Sequence, residues 1–397
     1  MIGRMLIEVV IEMSKTKKFG FYVHLPFCIK KCHYCDFLSF SQWEENLVNL
    51  YVGRLVTEIL NLNNSHMVLD TIYFGGGTPS SIPPYFIKKI VESIEKHFDI
   101  AKDAERTIEL NPATGLQSSI AQYKEMGFNR VSVGLQSAEN HLLTLLGRAH
   151  LYEDFLRTYE MLSEEGFQNL SVDVMYGLPE QSLSDLVRTI KAVTDLENIK
   201  HISAYSLILE NNTVLAQRVE KGQLVLPTEE DERKAHYLLR EELMNKGFAQ
   251  YEISNYAQPG YESRHNSGYW RLKPYYGVGL GAASFVDDVR YQTETSMHAY
   301  LNEGVTPIRK AERHPSTQEL MEDYMMLGLR MTEGIHIEKF REKFLIGLDE
   351  VFGKKINGLI EKGFLQLKDK RLFLTEKGQD FENYVNLTLM SSKGETE

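Results

Sequence analysis

Cys28, Cys32 and Cys35 are the only cysteines of the 397-residue chain, and they stand together in the run C-I-K-K-C-H-Y-C. Three thiols cannot all pair off as disulfides. They also fall one short of the four cysteine or histidine ligands that close a structural zinc site. Three thiolates can hold three irons of a [4Fe–4S] cluster and leave the fourth iron open. An open iron can bind a substrate directly, which makes such a cluster a reagent rather than a wire. On spacing alone two other readings stay open. A zinc ion could add His33 or His24 to the thiols, although His33 lies between two of the ligands and its ring competes poorly for the same metal. The thiols could also be free and idle, although chance rarely gathers every cysteine of a long chain into one loop.

Further blocks place polar residues where chemistry would need them. Gly75, Gly76, Gly77 and Thr78 form a glycine run. Glycines let backbone N–H and C=O groups approach a ligand closely, but the same run also makes a tight strand-to-helix turn. Glu109 in E-L-N-P could accept hydrogen bonds or simply face water at a strand end. Arg148 in L-G-R-A-H could clamp a carboxylate bidentately or form a surface ion pair. Asp173 sits inside the apolar run L-S-V-D-V-M-Y, and buried carboxylates are rare unless partnered.

The elements that must position these residues alternate from residue 19 onward. Short runs rich in Val, Ile, Tyr and Leu predict strands at 21–25, 71–74, 106–110, 130–134, 170–175 and 202–209. Helical apolar spacing predicts helices over 43–61, 85–98, 118–126, 152–164, 183–196 and 229–246. Six β/α units in a row imply a parallel sheet with right-handed crossovers, either an open doubly wound sheet or a partial barrel. The cysteines, the glycine run, E-L-N-P, G-L-Q-S and D-V-M-Y-G-L-P then all follow or end strands, the edge where such folds build their sites.

The expected organisation is a leader over 1–18, a core over 19–246, an aromatic- and glycine-rich accessory segment over 247–315 and a helical domain over 316–397. In the leader, Ile2, Met5, Leu6, Val9 and Met13 share one helical face, but a loose segment, or a start at Met13, is the stronger expectation. The last domain ends in a helix, two short strands around residues 368–371 and a closing helix, an order similar to a winged helix. With a formal net charge of −11 it reads as a structural cap, and general nucleic-acid binding is not expected. A hydrophobic content of 43% with 25% charged residues is that of an ordinary globular protein. Clustered thiols without other cysteines fit a reducing cytosol, and no apolar run reaches the ~18–20 residues that span a bilayer. A cytoplasmic protein with at most transient membrane contact is expected.

Taken together, Y-V-H-L-P-F-C-I-K-K-C-H-Y-C-D-F, G-G-G-T-P-S, E-L-N-P, G-L-Q-S, L-G-R-A-H and D-V-M-Y-G-L-P resemble the radical S-adenosylmethionine (SAM) superfamily. More narrowly, the chain is similar to the branch that contains oxygen-independent coproporphyrinogen III oxidase and the HemW-type heme chaperones, from residue 19 to the end. The resemblance implies an α/β fold: a partial (β/α)6 radical SAM barrel followed by a smaller α+β, winged-helix-like region. It implies that Cys28, Cys32 and Cys35 ligate a [4Fe–4S] cluster whose open iron is chelated by the amine and carboxylate of SAM. One electron would then cleave the C5′–S bond to give methionine and a 5′-deoxyadenosyl radical. By the same resemblance Gly76, Gly77 and Thr78 hold the methionine moiety, and Glu109 accepts from the ribose or amine. Gln136, Arg148 and Asp173 contact SAM, and Tyr22 and Tyr34 line it.

Within that branch three features favour a chaperone over an oxidase. The oxidase pattern carries a fourth cysteine where this chain has Phe37, and it carries a longer segment ahead of the first strand. The block H-N-x-x-Y-W, formed by His265, Asn266, Tyr269 and Trp270, is similar to the chaperone signature. A neutral imidazole can ligate heme iron and the aromatics could stack on a porphyrin, or the four residues could pack a domain junction. The resemblance thus implies heme as cargo, apo-hemoproteins, respiratory ones among them, as recipients, and a one-electron donor such as flavodoxin or ferredoxin. It leaves open whether the chain is an enzyme, since the radical machinery is present and oxidase activity is not expected.

Overall fold

The computed structural model describes residues 17–114, 116–302 and 309–390, so the leader and its alternative start lie, up to residue 16, outside the described residues. Six strands form the centre: β1 (Lys17–Leu25), β2 (Met67–Gly76), β3 (Asp99–Leu110), β4 (Arg130–Gln136), β5 (Leu170–Tyr176) and β6 (Ile199–Ser206). Each pairs in parallel with the next. Between them run α1 (Glu45–Leu60), α2 (Pro84–His97), α3 (Gln117–Glu125), α4 (Asn140–Leu145), α5 (Tyr152–Glu164) and α6 (Leu183–Thr194). After β6 come α7 (Val214–Glu220) and α8 (Glu229–Asn245).

Along most of their length the strands alternate between two faces. Phe19, Phe21, Val23 and Leu25 on β1, Val131, Val133 and Leu135 on β4, and Val172 and Val174 on β5 are buried in one hydrophobic core with the helices. The opposite face carries polar groups that bond to one another across strands. Tyr73 Oη donates to Glu109 Oε1 at 2.7 Å, Ser132 Oγ to Asp173 Oδ1 at 3.4 Å, and Ser171 Oγ pairs with His201 Nδ1 at 2.7 Å. Period-2 side-chain direction puts all of these on the inner face. Residues of β2, β3, β4 and β5 and of the loop after β1 line one cleft there, so the sheet curls into an open barrel with a polar lumen.

The helices hold the other face. In α6, Leu186, Ile190 and Val193 recur at helical spacing and are buried. Ser182 caps it: its Oγ accepts from Asp185 N at 3.2 Å while the Asp185 carboxylate accepts from Ser182 N at 2.7 Å.

The accessory segment extends the same sheet at both edges. At one end β8 (Asn255–Ala257) pairs antiparallel with β6 and with β7 (Ala249–Glu252). At the other, β9 (Tyr275–Val278) lies parallel to β1. It leads through β10 (Ala283–Val286) and β11 (Val289–Thr293) to β12 (Arg309–Arg313). Two short helices interrupt this segment, α9 (Arg264–Trp270) and α10 (Met297–Asn302).

The C-terminal unit holds α11 (Thr317–Gly328), α12 (Ile337–Phe344), α13 (Leu348–Glu361), α14 (Glu376–Asp380) and α15 (Glu382–Leu389). They surround a three-stranded sheet in the order β13 (Ile335–His336), β15 (Arg371–Leu374), β14 (Leu365–Lys368). Met325, Phe340, Phe352, Leu359, Leu372 and Val385 make its own core.

Candidate cofactor site

A cleft of about 160 Å³ opens at the C-terminal ends of the central strands. It gathers Cys28, Cys32, Cys35, Tyr34, Gly76, Gly77, Thr78, Glu109, Gln136, Arg148 and Asp173, residues far apart in sequence. Tyr22 lies off this lining, with its hydroxyl on His24 Nδ1 at 3.0 Å. Hollows of about 310 and 520 Å³ beside α8 are larger but contain none of the thiols.

The cysteine loop is tied to the barrel on several sides. Cys28 N donates to Phe40 O at 2.9 Å, and Trp43 Nε1 donates to Cys28 O at 2.9 Å. His33 N donates to Leu146 O at 2.9 Å, and His33 O accepts from Leu215 N at 2.8 Å. The three thiols are half-buried and unpaired. Cys28 Sγ lies 3.7 Å from Thr78 Oγ1, and Arg148 Nη1 donates to Cys32 Sγ at 3.4 Å. Arg148 also donates from Nη2 to the Gly134 carbonyl.

This geometry separates the readings that spacing left open. His33 turns away, with Nδ1 on Leu145 O at 2.9 Å, and His24 is held by Tyr22 and by Leu38 O at 3.1 Å. His24 thus has both ring nitrogens engaged, and His33 is held by Nδ1 on the α4 side of the loop. Among the described residues no three His, Cys, Asp or Glu side chains converge as they would around one ion. Three thiols spread around one cleft, with no fourth protein ligand, suit a polynuclear cluster in which each of three irons takes one thiolate.

The glycine run serves the fold as much as any ligand. Gly76 has φ +114°, and a Cβ there would lie 2.8 Å from the His24 ring. A Cβ on Gly77 would lie 2.7 Å from Phe27 O and 3.0 Å from Cys28 Sγ. The run is what lets β2 press against the cysteine loop, so a substitution there disturbs the loop as well as any ligand.

Two carboxylates form the cleft floor. Burial pushes Glu109 up to about 7, against the opposing pull of the Tyr73 hydroxyl. Burial also raises Asp173, while the Ser203 hydroxyl and the nearby guanidinium groups of Arg130 and Arg148 act the other way. Gln136 is 8% exposed and has φ +75°, a left-handed backbone that non-glycine residues seldom adopt. The β4–β5 register shifts beside it, between Gly134 and Gln136, and Gln136 joins the cleft lining at the end of the inward face of β4. The arrangement therefore offers three soft ligands, a backbone turn and two carboxylates to a ligand carrying positive charge. Tyr73, Ser132 and Ser203, which hold those carboxylates, were missed in the sequence. Their inward alternation was the available signal.

The heme-contact set is not part of this cleft. His265 is 3% exposed, with Nδ1 on Thr71 Oγ1 at 2.9 Å and Nε2 on Tyr269 Oη at 2.7 Å. Both ring nitrogens are engaged, so this imidazole is a packed core group and not an open axial ligand. Trp270 lies under the Arg330 guanidinium at 4.5 Å, and Asn266 N donates to Ser263 Oγ at 3.3 Å as part of the α9 cap. In this geometry the four residues pack a junction between the barrel and the C-terminal unit. Phe37, by contrast, is 71% exposed at the cleft mouth.

Comparison with known proteins bears on what such a cleft holds. The radical SAM superfamily model matches residues 22–193, and the HemN C-terminal domain model matches residues 316–381. The chain is 33% identical over 364 residues to the heme chaperone HemW of Lactococcus lactis, covering 92% of this chain and 95% of that one. It is 35% identical over 370 residues to the heme chaperone HemW of Bacillus subtilis, covering 92% and 97%. Among solved structures, coproporphyrinogen III oxidase (HemN) from Escherichia coli superposes with a TM-score of 0.82 at 19% identity, over 97% of this chain and 93% of that one. That likeness is one of fold.

Proposed function

The chain belongs to the radical SAM superfamily and, within it, to the family of the heme chaperone HemW, and from that premise we propose that it binds heme and hands it to apoproteins. The observation that carries this reading is the likeness to proteins named heme chaperone HemW over 92% of the chain. Superfamily membership implies a [4Fe–4S] cluster and SAM. Cys28, Cys32 and Cys35 would hold the cluster. Gly76, Gly77, Thr78, Glu109, Gln136, Arg148 and Asp173, with Tyr34 and Tyr22, would surround SAM. When bound, the pair supplies one-electron radical chemistry.

The chain's own residues then bind, orient and exclude water. Arg148 donates to Cys32 Sγ and the Gly134 carbonyl, fixing the loop against β4. Glu109 and Asp173 offer acceptors to the ammonium group and negative charge to the sulfonium. The Gln136 amide closes the side wall.

A flavodoxin or ferredoxin would supply electrons, and respiratory apo-hemoproteins would take the heme. We place the protein in the cytoplasm. No described helix is long and apolar enough to cross a membrane. The runner-up reading is oxygen-independent coproporphyrinogen III oxidase, favoured by the shared fold. Phe37 in place of that enzyme's further cysteine weighs against it.

The deciding experiment is a heme titration of anaerobically reconstituted protein beside a decarboxylation assay with coproporphyrinogen III, SAM and reductant. Stoichiometric heme uptake without protoporphyrinogen is expected. Multiple-turnover decarboxylation would overturn the chaperone reading in favour of the oxidase.

A further inference from the structure

One charged side chain in the lumen has no role in the site described so far. Arg130 opens β4 and is 2% exposed. Its Nε is buried without a hydrogen-bond partner. Among the described residues no carboxylate forms an ion pair with it. A guanidinium kept in the interior with its Nε unsatisfied is costly, so its position calls for a reason.

Strand register supplies one. Arg130 stands opposite Thr107 on β3, one inward step below Ser132, which itself stands opposite Glu109. Asp173 stands opposite Gly134, one step higher again. Arg130 thus lies directly beneath the two carboxylates of the cleft floor, and its charge acts on both. The other basic groups it faces, His201 and His265, are kept neutral by burial. His201 is also held by Ser171 and by Tyr251 Oη at 2.8 Å, so neither ring competes for the carboxylates.

We infer that Arg130 is a positioning residue for the cofactor cleft: from beneath, it draws Glu109 and Asp173 toward the charged form that a cationic ligand requires, against the opposing pull of their burial. The inference rests on the reading of this cleft as the SAM site. The charged and titratable groups facing Glu109 are Tyr22 of β1, Tyr73 of β2, Arg130 of β4, Asp173 of β5 and Tyr205 of β6. Asp173 also faces Tyr34 and Arg148. The tyrosines stay neutral, since burial raises each of them further. Arg148 is already committed to Cys32 and Gly134. Arg130 is therefore the cation that reaches both acids from below, with Arg148 acting beside it on Asp173.

The test compares wild type, R130K, R130M and R130Q. Infrared titration of the carboxyl band in cluster-free protein, with E109Q to assign it, needs neither cluster nor SAM. Wild-type Glu109 should titrate near 7. R130K should follow wild type, whereas R130M and R130Q should titrate about one pH unit higher. In cluster-loaded protein, SAM affinity near neutral pH should fall about tenfold in the two neutral variants and recover as the pH is raised. A merely structural loss would be uniform in pH. Having two neutral variants of different polarity guards against one of them failing to fold. An unchanged carboxyl midpoint in both neutral variants, or a pH-independent loss of affinity, overturns the inference. Wild-type protein that loads its cluster but binds no SAM at any pH would instead overturn the assignment of the cleft, and with it the role given to Arg130.

Discussion

At Gly77 a single hydrogen atom stands where a methyl group would strike the cluster loop. The backbone there is clamped on both sides, with Gly77 N on Leu25 O at 2.9 Å and Thr78 N on Phe27 O at 2.7 Å. The added Cβ would meet Phe27 O at 2.7 Å and Phe27 N at 2.9 Å, both fixed backbone atoms, and would crowd Cys28 Sγ at 3.0 Å. Gly77→Ala should therefore cost iron although every thiol remains. We expect iron and sulfide content after anaerobic reconstitution to fall toward that of Cys28→Ala. Wild-type iron content in a folded Gly77→Ala protein would mean that the loop yields and that the glycine is needed for the turn alone.

Among the elements, α9 carries H-N-x-x-Y-W, for which the sequence left open a porphyrin contact or a packed junction, and in the structure it packs against the inner side of the barrel. Glu105 of β3 receives its first amides, from Arg264 N and His265 N, both at 3.0 Å. The His265 ring stacks on Tyr73 at a centroid distance of 5.1 Å. The histidine thus links β2, β3 and α9. His265→Ala would leave the Thr71 and Tyr269 hydroxyls without their shared partner, a loss of about 1–3 kcal/mol in a buried setting. We expect a lower urea midpoint and unchanged absorption bands of any bound heme. Shifted bands in a folded variant would show that α9 opens and that His265 reaches the iron.

On the scale of the whole molecule, the C-terminal unit is fastened to the barrel through Arg330. Its guanidinium lies 3.4 Å from the fully buried Glu252 carboxylate and 3.4 Å from Glu382. Beside it, Ile253 N donates to Arg330 O at 3.2 Å and Thr332 N to Tyr251 O at 3.0 Å. Removing the cation leaves Glu252 buried with only Asn255 and the Ser254 amide. Breaking a buried pair in this one-sided way costs about 3–5 kcal/mol, and water reaching the partly exposed arginine lowers that figure. Arg330→Met should unfold at lower urea and be cut by protease at lower dose between the barrel and α11. Unchanged stability and proteolysis would mean that the paired backbone segments alone hold the two parts together.

The sequence by itself determined the ligand set of the loop and the order of the elements. Three thiols in one short run favour a cluster over the zinc and idle-thiol readings that spacing leaves open, and alternation of strand and helix follows from local apolar spacing. Strand ends were legible for the same reason, so Glu109, Gln136 and Asp173 could be placed together at one edge before any contact was known, whereas Arg148, between two helices, joined them only by resemblance. The accessory segment was not legible as sheet. Its strands are four residues or so long, as in Tyr275–Val278 and Ala283–Val286, and gain their form only by pairing with β1 and with each other. Nor could sequence decide the fate of His265. An imidazole that ligates and one that caps a buried hydroxyl are the same residue, and only the approach of Thr71 and Tyr269 across long loops separates them. Arg130 is the sharpest case. At the start of an apolar strand it reads as a surface charge, and only the curling of the sheet turns it into a buried cation beneath two carboxylates.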